Sequence, residues 1–65
     1  MSYSKIIILI RAKLNITQEE MAKKLDVSFA TINRWENGHT NPSKRYIYIL
    51  EEICRENNID WRVED

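Results

Sequence analysis

Residues 15–38 read NITQEEMAKKLDVSFATINRWENG and contain two short helical patterns separated by a tight turn. The first pattern begins at Thr17, which with Glu20 has the spacing of a capping box, in which each side chain accepts from the other residue's backbone amide. The second begins at Ser28, a favoured N-cap residue, and Gly38 suits the position after its end. Because only about three residues join the patterns, they predict two helices that cross steeply, a helix-turn-helix.

Two further helical patterns flank this segment. Apolar residues recur at helical spacing from residue 4 to residue 14, although residues 6–10 by composition would equally suit a buried strand. A lone strand would have no partner, so we predict a helix. On the other side, a helix is expected to start near Pro42, because proline is favoured in a first helical turn. The predicted helices are about 4–14, 17–25, 28–37 and 43–57, with a short fifth turn at 60–63 as an open alternative.

The composition is that of one small all-α domain, residues 1–65. Hydrophobic residues make up 43% of the 65 positions, charged residues make up 31%, and there are one glycine and one proline. A chain of this length leaves no room for separate substrate and cofactor lobes. The longest apolar run is far shorter than the roughly 20 residues of a membrane span, and it lacks a signal-peptide cleavage site. We therefore expect a cytoplasmic protein without membrane contact.

Residues for catalysis or metal binding are missing. One cysteine, Cys54, and one histidine, His39, cannot build a zinc site, and a lone cysteine cannot form an intramolecular disulfide. The sequence contains no catalytic triad and no phosphate-binding loop. We expect no enzymatic activity, no cofactor and no metal.

The net charge of zero conceals an uneven distribution. Residues 1–50 carry eight basic and four acidic residues, whereas residues 51–65 carry two basic and six acidic residues. One interpretation is a basic body that faces a polyanion and an acidic tail that points away from it. On the charges alone, an ordinary solvated surface with a charged terminus is the better explanation.

The central residues resemble the Cro/repressor class of helix-turn-helix proteins, which also contains the xenobiotic-response-element regulators. The resemblance spans roughly Arg11 to Leu50 and depends on several features together: Thr17-Gln18, an inward Ala22, Val27-Ser28, Glu36 two residues before Gly38, and Pro42. It implies a compact lambda-repressor-like bundle of four or five helices whose third helix contacts DNA. The turn position that is commonly glycine in that class is Asp26, which adopts the left-handed conformation at a modest cost.

The function that this resemblance implies is sequence-specific binding of double-stranded DNA by a transcriptional regulator. Residues 28–37 would read the major groove, with base contacts from Ser28, Phe29, Ala30, Asn33 and Arg34. Asn33 can pair with adenine and Arg34 with guanine, each discriminating by roughly 1–3 kcal/mol. Arg34 could instead contact a phosphate alone. Phe29 could meet a thymine methyl group or pack into the core beside Val27.

The resemblance also implies phosphate contacts around the third helix, from Thr17, Gln18, Asn37, His39, Thr40 and Asn41. Lys44, a basic residue at the start of the fourth helix, is a further candidate for a phosphate contact. For the segment after that helix a simple turn is the alternative, and for Gln18 it is an exposed residue that favours its own helix. In the same class, the residues matching Arg11 and Glu36 join the first helix to the end of the third as a partly buried ion pair. We expect that pair to hold the third helix rather than to contact DNA.

Partners follow from the same class. Its members bind as dimers to half-sites about 34 Å apart, so a homodimer is expected. Three apolar residues do not fit on the single face of their helix that is expected to pack inward: Ile8, Leu9 and Ile49. They either mark a dimer or domain contact or close a small core. The alternative function is a DNA-targeting or protein-interaction module, such as an antitoxin or the docking part of a modification system. These apolar residues and the acidic C-terminal segment favour that alternative.

Overall fold

The computed structural model describes residues 2–61, and this part of the chain contains four helices and no strand. The helices are α1 (Tyr3–Leu14), α2 (Gln18–Leu25), α3 (Phe29–Glu36) and α4 (Lys44–Glu56). The prediction of an all-α fold is therefore confirmed. Helix α1 begins one residue earlier than predicted, and the other three are shorter because the predicted ranges included their capping residues.

The starts of the helices are set by serine and threonine residues in extended backbone. The predicted capping box is present, since Thr17 Oγ1 accepts from the Glu20 amide at 3.0 Å and Glu20 Oε1 accepts from the Thr17 amide at 2.8 Å. Ser28 caps α3 in the predicted way. The fourth helix begins near Pro42 as predicted, but Pro42 is not in its first turn: it is buried and precedes the N-cap Ser43. The Ser43 side chain makes no capping hydrogen bond.

The four helices all end in the same way. A residue with positive φ follows each helix, and the next amide donates to the carbonyl five residues earlier at 2.8–3.0 Å. This hydrogen bond satisfies one of the carbonyls that a helix end leaves unpaired. Only one of the four positions, Gly38, is a glycine. The others are residues that tolerate the left-handed region: Asn15, Asp26 and Asn58. The predictions made for Asp26 and Gly38 are confirmed.

The core lies between α3 and the helices α1 and α2, and α1 also packs on α4. All four helices and the segment after α4 contribute buried residues: Ile6, Ile7, Ile10, Met21, Ala22, Leu25, Ile32, Trp35, Leu50, Ile53, Cys54 and Ile59. The Trp35 ring lies 5.4 Å from the ring of Tyr46 between centroids. No helix within residues 2–61 combines the length and the apolar character that crossing a bilayer requires.

The three apolar residues that did not fit on one inward helix face differ in their exposure to solvent. Ile49 is partly buried and packs against the core, which is the second of the two alternatives left open for it. Ile8 and Leu9 remain 45% and 41% exposed, and Tyr48 is 65% exposed. Residues 59–61 are not helical, and the rest of the predicted fifth turn lies outside the described residues.

The turn between α2 and α3 leads to a prediction about Asp26, whose φ is 58°. An L side chain in this region is strained, so Asp26→Gly should be more stable than Asp26→Ala by about 0.5–1 kcal/mol. Urea denaturation of the two variants measures the difference. The control is Lys24, an exposed residue inside α2. At that position the Lys24→Ala variant should be more stable than the Lys24→Gly variant by about 1 kcal/mol. The same order at both positions would contradict the prediction.

A second prediction concerns Cys54, a free cysteine with no exposed surface. Burial, with the nearby charge of Glu51, raises the pKa of the Cys54 thiol, and the thiolate is the reactive form. Alkylation by iodoacetamide in native buffer should therefore be at least about a hundredfold slower than in denaturant. The control variant combines Cys54→Ala with Tyr48→Cys, which moves the thiol to an exposed site on α4. Equal native rates for the two proteins would overturn the prediction.

Candidate functional site

Helix α3 directs one side into the core and the other to solvent. Ile32 is completely buried and Trp35 is 6% exposed, so these two residues anchor the helix. Phe29 is 50% exposed, and the alternative in which it packs into the core is wrong. At 3.6 residues per turn it lies about a quarter of a turn away from the direction of the two anchors. Ala30 and Arg34 are also exposed and lie farther around the helix from the core, whereas Asn33 is only partly exposed.

An ion pair connects α1 to the last residue of α3. Arg11 Nε donates to Glu36 Oε2 at 2.6 Å, and Arg11 Nη2 donates to Glu36 Oε1 at 3.1 Å. Arg11 Nη1 also donates to the carbonyl of Ile16 at 3.2 Å, just before α2. The hydrogen bond to Glu36 raises the pKa of the Arg11 guanidinium further above its usual value. The predicted ion pair is therefore present. The guanidinium of Arg11 connects α1 both to the end of α3 and to the segment just before α2.

Glu36 has a further partner that the sequence did not indicate. Gln18, the first residue of α2, donates from Nε2 to Glu36 Oε1 at 2.9 Å. Asn33 Nδ2 donates to Gln18 Oε1 at 3.5 Å, and Asn37 Nδ2 donates to Asn33 Oδ1 at 3.0 Å. The sequence-based expectation for Gln18 was a phosphate contact or simple exposure. No spacing rule connects a glutamine at the start of one helix with a glutamate at the end of the next.

The remaining predicted residues surround α3 with polar groups. The hydroxyl groups of Thr17 and Ser28 already accept capping hydrogen bonds, and the Ser28 hydroxyl also lies 2.9 Å from that of Thr31. Each hydroxyl can accept twice and donate once, so Thr17 keeps a donor for another partner. All the residues predicted after the helix are exposed: Asn37, His39, Thr40, Asn41 and Lys44.

Some charged groups of this surface are paired with an opposite charge and others are not. Within residues 2–61, Arg34 and Lys44 are exposed and form no ion pair. The charge of Glu36 is compensated by Arg11, so it adds little negative potential beside α3. The same part of the chain holds no group of three or more histidine, cysteine, aspartate or glutamate residues that could bind a metal ion. The surface therefore offers hydrogen-bond donors, acceptors and unpaired cations.

Comparisons with known proteins place this surface in a family context. The family described as Helix-turn-helix matches residues 7–61. An uncharacterized helix-turn-helix-type transcriptional regulator of Archaeoglobus fulgidus is 47% identical over 55 residues, which cover 85% of this chain and 71% of that protein. A second regulator with the same description and organism is 44% identical over 43 residues, 66% of this chain and 61% of that protein. No solved structure matches the chain.

The ion pair leads to a prediction about stability. Glu36→Ala leaves Arg11, whose side chain is only 25% exposed, without its counter-charge. Losing one partner of a largely buried pair costs roughly 3 kcal/mol, toward the lower end of the usual range because Arg11 keeps some solvent. A chain of 65 residues has a total stability of roughly 3–10 kcal/mol. The melting temperature, measured by circular dichroism, should therefore fall markedly.

The control for this experiment is Glu52→Ala. Glu52 accepts from Arg55 at 2.7 Å, but both side chains are more than half exposed. Solvent-exposed pairs contribute little, so this variant should melt close to the wild type. If the Glu36→Ala variant has the same melting temperature as the Glu52→Ala variant, the Arg11–Glu36 pair does not hold α3.

Proposed function

The chain belongs to the Cro/C1-type helix-turn-helix family, and we propose that it is a transcriptional regulator that binds double-stranded DNA sequence-specifically. The observation that carries the proposal is the outer side of α3, where Phe29, Ala30 and Arg34 are exposed while Ile32 and Trp35 are buried. A single helix fits the major groove of B-DNA, which is about 12 Å wide. The proposal assigns the chain no catalytic activity and no cofactor.

Base readout is assigned to residues within the first six positions of α3 and to its N-cap. Arg34 carries an unpaired guanidinium that can donate to both O6 and N7 of a guanine. Asn33 keeps one N–H and one lone pair beyond its internal hydrogen bonds, which is the pattern that adenine requires in the major groove. The exposed ring of Phe29 suits the methyl group of a thymine, and Ser28 and Ala30 lie beside it.

Phosphate contacts would hold the helix in this register. Thr17 and Gln18 lie at the start of α2, where unpaired backbone amides and the helix dipole favour an anion. On the other side of α3, the exposed residues 37–41 and Lys44 can reach the neighbouring backbone. Each neutralised phosphate releases counterions, so affinity should decrease as salt increases.

We further propose that the protein binds as a homodimer. The Cα atoms of residues 2–61 extend over 27 Å at most, which is shorter than the roughly 34 Å between successive major grooves on one face of DNA. Two copies can therefore lie side by side on adjacent half-sites. The exposed Ile8 and Leu9 on α1 provide apolar surface for such a contact.

The second candidate is a DNA-targeting or protein-interaction module, such as an antitoxin or the docking part of a modification system. The observation that favours it is the same exposed pair on α1 together with Tyr48, which is 65% exposed on α4. A different protein could cover these residues as well as a second copy could. Copurification with the product of a neighbouring gene distinguishes this candidate from a homodimeric regulator.

Selection of bound duplexes from a random pool tests the main proposal. A regulator should enrich one palindromic sequence, and a reporter gene behind that sequence should respond to the protein. Binding of all sequences with equal affinity at low salt would contradict sequence-specific recognition, and copurification with a partner would then favour the second candidate.

Two substitutions test the roles of individual residues at the selected site. Arg34→Ala should weaken binding by about 1–3 kcal/mol and relax the preference at one base pair, because the lost contact is to a base. Lys44→Ala should weaken binding to all sequences about equally and reduce the salt dependence. Fluorescence anisotropy with duplexes altered one base pair at a time measures both effects. If Arg34→Ala leaves every preference intact, Arg34 contacts only phosphate.

A further inference from the structure

One continuous chain of side-chain hydrogen bonds connects the Arg11–Glu36 ion pair to the middle of α3. It runs from Glu36 to Gln18 at 2.9 Å, from Gln18 to Asn33 at 3.5 Å, and from Asn33 to Asn37 at 3.0 Å. The members lie on α2, on α3 and at the C-cap of α3. Because Gln18 and Asn33 are partly buried, the first two links are partly shielded from water.

The carboxylate gives this chain a direction. Glu36 faces Arg11 as the carboxylate of an ion pair, and a carboxylate can only accept hydrogen bonds. Gln18 must therefore turn its amide nitrogen toward Glu36, which leaves its oxygen facing Asn33. Asn33 in turn must present its own nitrogen to that oxygen, and its oxygen then accepts from Asn37. Each amide along the chain is held in one of its two orientations by the residue before it.

We infer that Gln18 is a positioning residue for base recognition, which transmits the orientation imposed by Glu36 to the amide of Asn33. This inference rests on the proposed function. An amide nitrogen donates twice and an amide oxygen accepts twice, so Asn33 retains one donor and one acceptor. With the amide held one way round, these two atoms match N7 and N6 of an adenine in one arrangement only. The ordering of Asn33 before binding removes part of the entropic cost of recognition.

The experiment measures how strongly each variant prefers one base pair over the others at each position of the selected site, rather than its overall affinity for DNA. Asn33→Ala first identifies the base pair whose preference Asn33 sets within the selected site. Gln18→Ala should then reduce the preference at that same base pair by about fivefold or more, while other preferences remain. The double variant should show no further loss there, because Asn33 needs Gln18 to be effective.

A contact from Gln18 to phosphate alone gives a different result. In that case Gln18→Ala weakens binding to every duplex by the same factor, as expected for Lys44→Ala, and its effect adds to that of Asn33→Ala. Such a uniform, additive loss would overturn the inference. Circular dichroism of each variant shows whether it is folded.

A second measurement tests the hydrogen-bond chain without DNA. Gln18→Met keeps the length of the side chain but cannot form these hydrogen bonds, and Glu36→Gln removes the charge that orients them. In NMR spectra of the wild-type protein, both changes should shift the side-chain amide signal of Asn33. The exposed amide of Asn41 is the control and should not move. If the Asn33 signal is unaffected by both, the inference fails even where DNA is bound; if the signals shift but the wild type selects no sequence, the proposed function fails instead.

Discussion

The Arg11–Glu36 ion pair fixes the geometry on which the rest of the molecule depends. Hydrophobic burial is not directional, and two anchors, Ile32 and Trp35, would allow α3 to slide or rotate over the core. The bidentate contact at 2.6 and 3.1 Å defines the end of α3 relative to α1. The third hydrogen bond of the same guanidinium, to Ile16, adds the start of α2. A single cation thus sets the mutual orientation of three helices.

Short helices make such directional contacts necessary. Helices α2 and α3 have eight residues each, less than the length at which an isolated helix is stable in water. Their ends are defined by local chemistry, with an oxygen-bearing cap at the start and a left-handed residue at the end. Asp26 performs the second task without glycine. The turn is therefore compact because both of its borders are specified within a few residues, and packing then selects the crossing of the helices.

Local features could be predicted from the sequence, and partners distant along the chain could not. The capping box at Thr17, the left-handed Asp26 and the N-cap at Ser28 depend on neighbours within one or two turns, so the residue pattern specifies them. The hydrogen bonds of Gln18 and Asn33 depend on where helices meet. An amide can donate or accept, so nothing in the sequence decides its partner. Exposure of single apolar residues was likewise unpredictable, because a small core admits only some of those with the right spacing.

Zero net charge makes the orientation of α3 more important than it would be in a basic protein. The acidic residues of 51–65 offset the basic residues before them, so the whole chain gains little long-range attraction to DNA. Affinity must then come from contacts at short range, and these require correct distances and angles. Arg34 supplies charge at the surface, whereas Asn33 supplies direction from a site that is tied to the interior. In the proposed complex, the network that stabilises the fold is therefore also the network that orients a base-reading side chain.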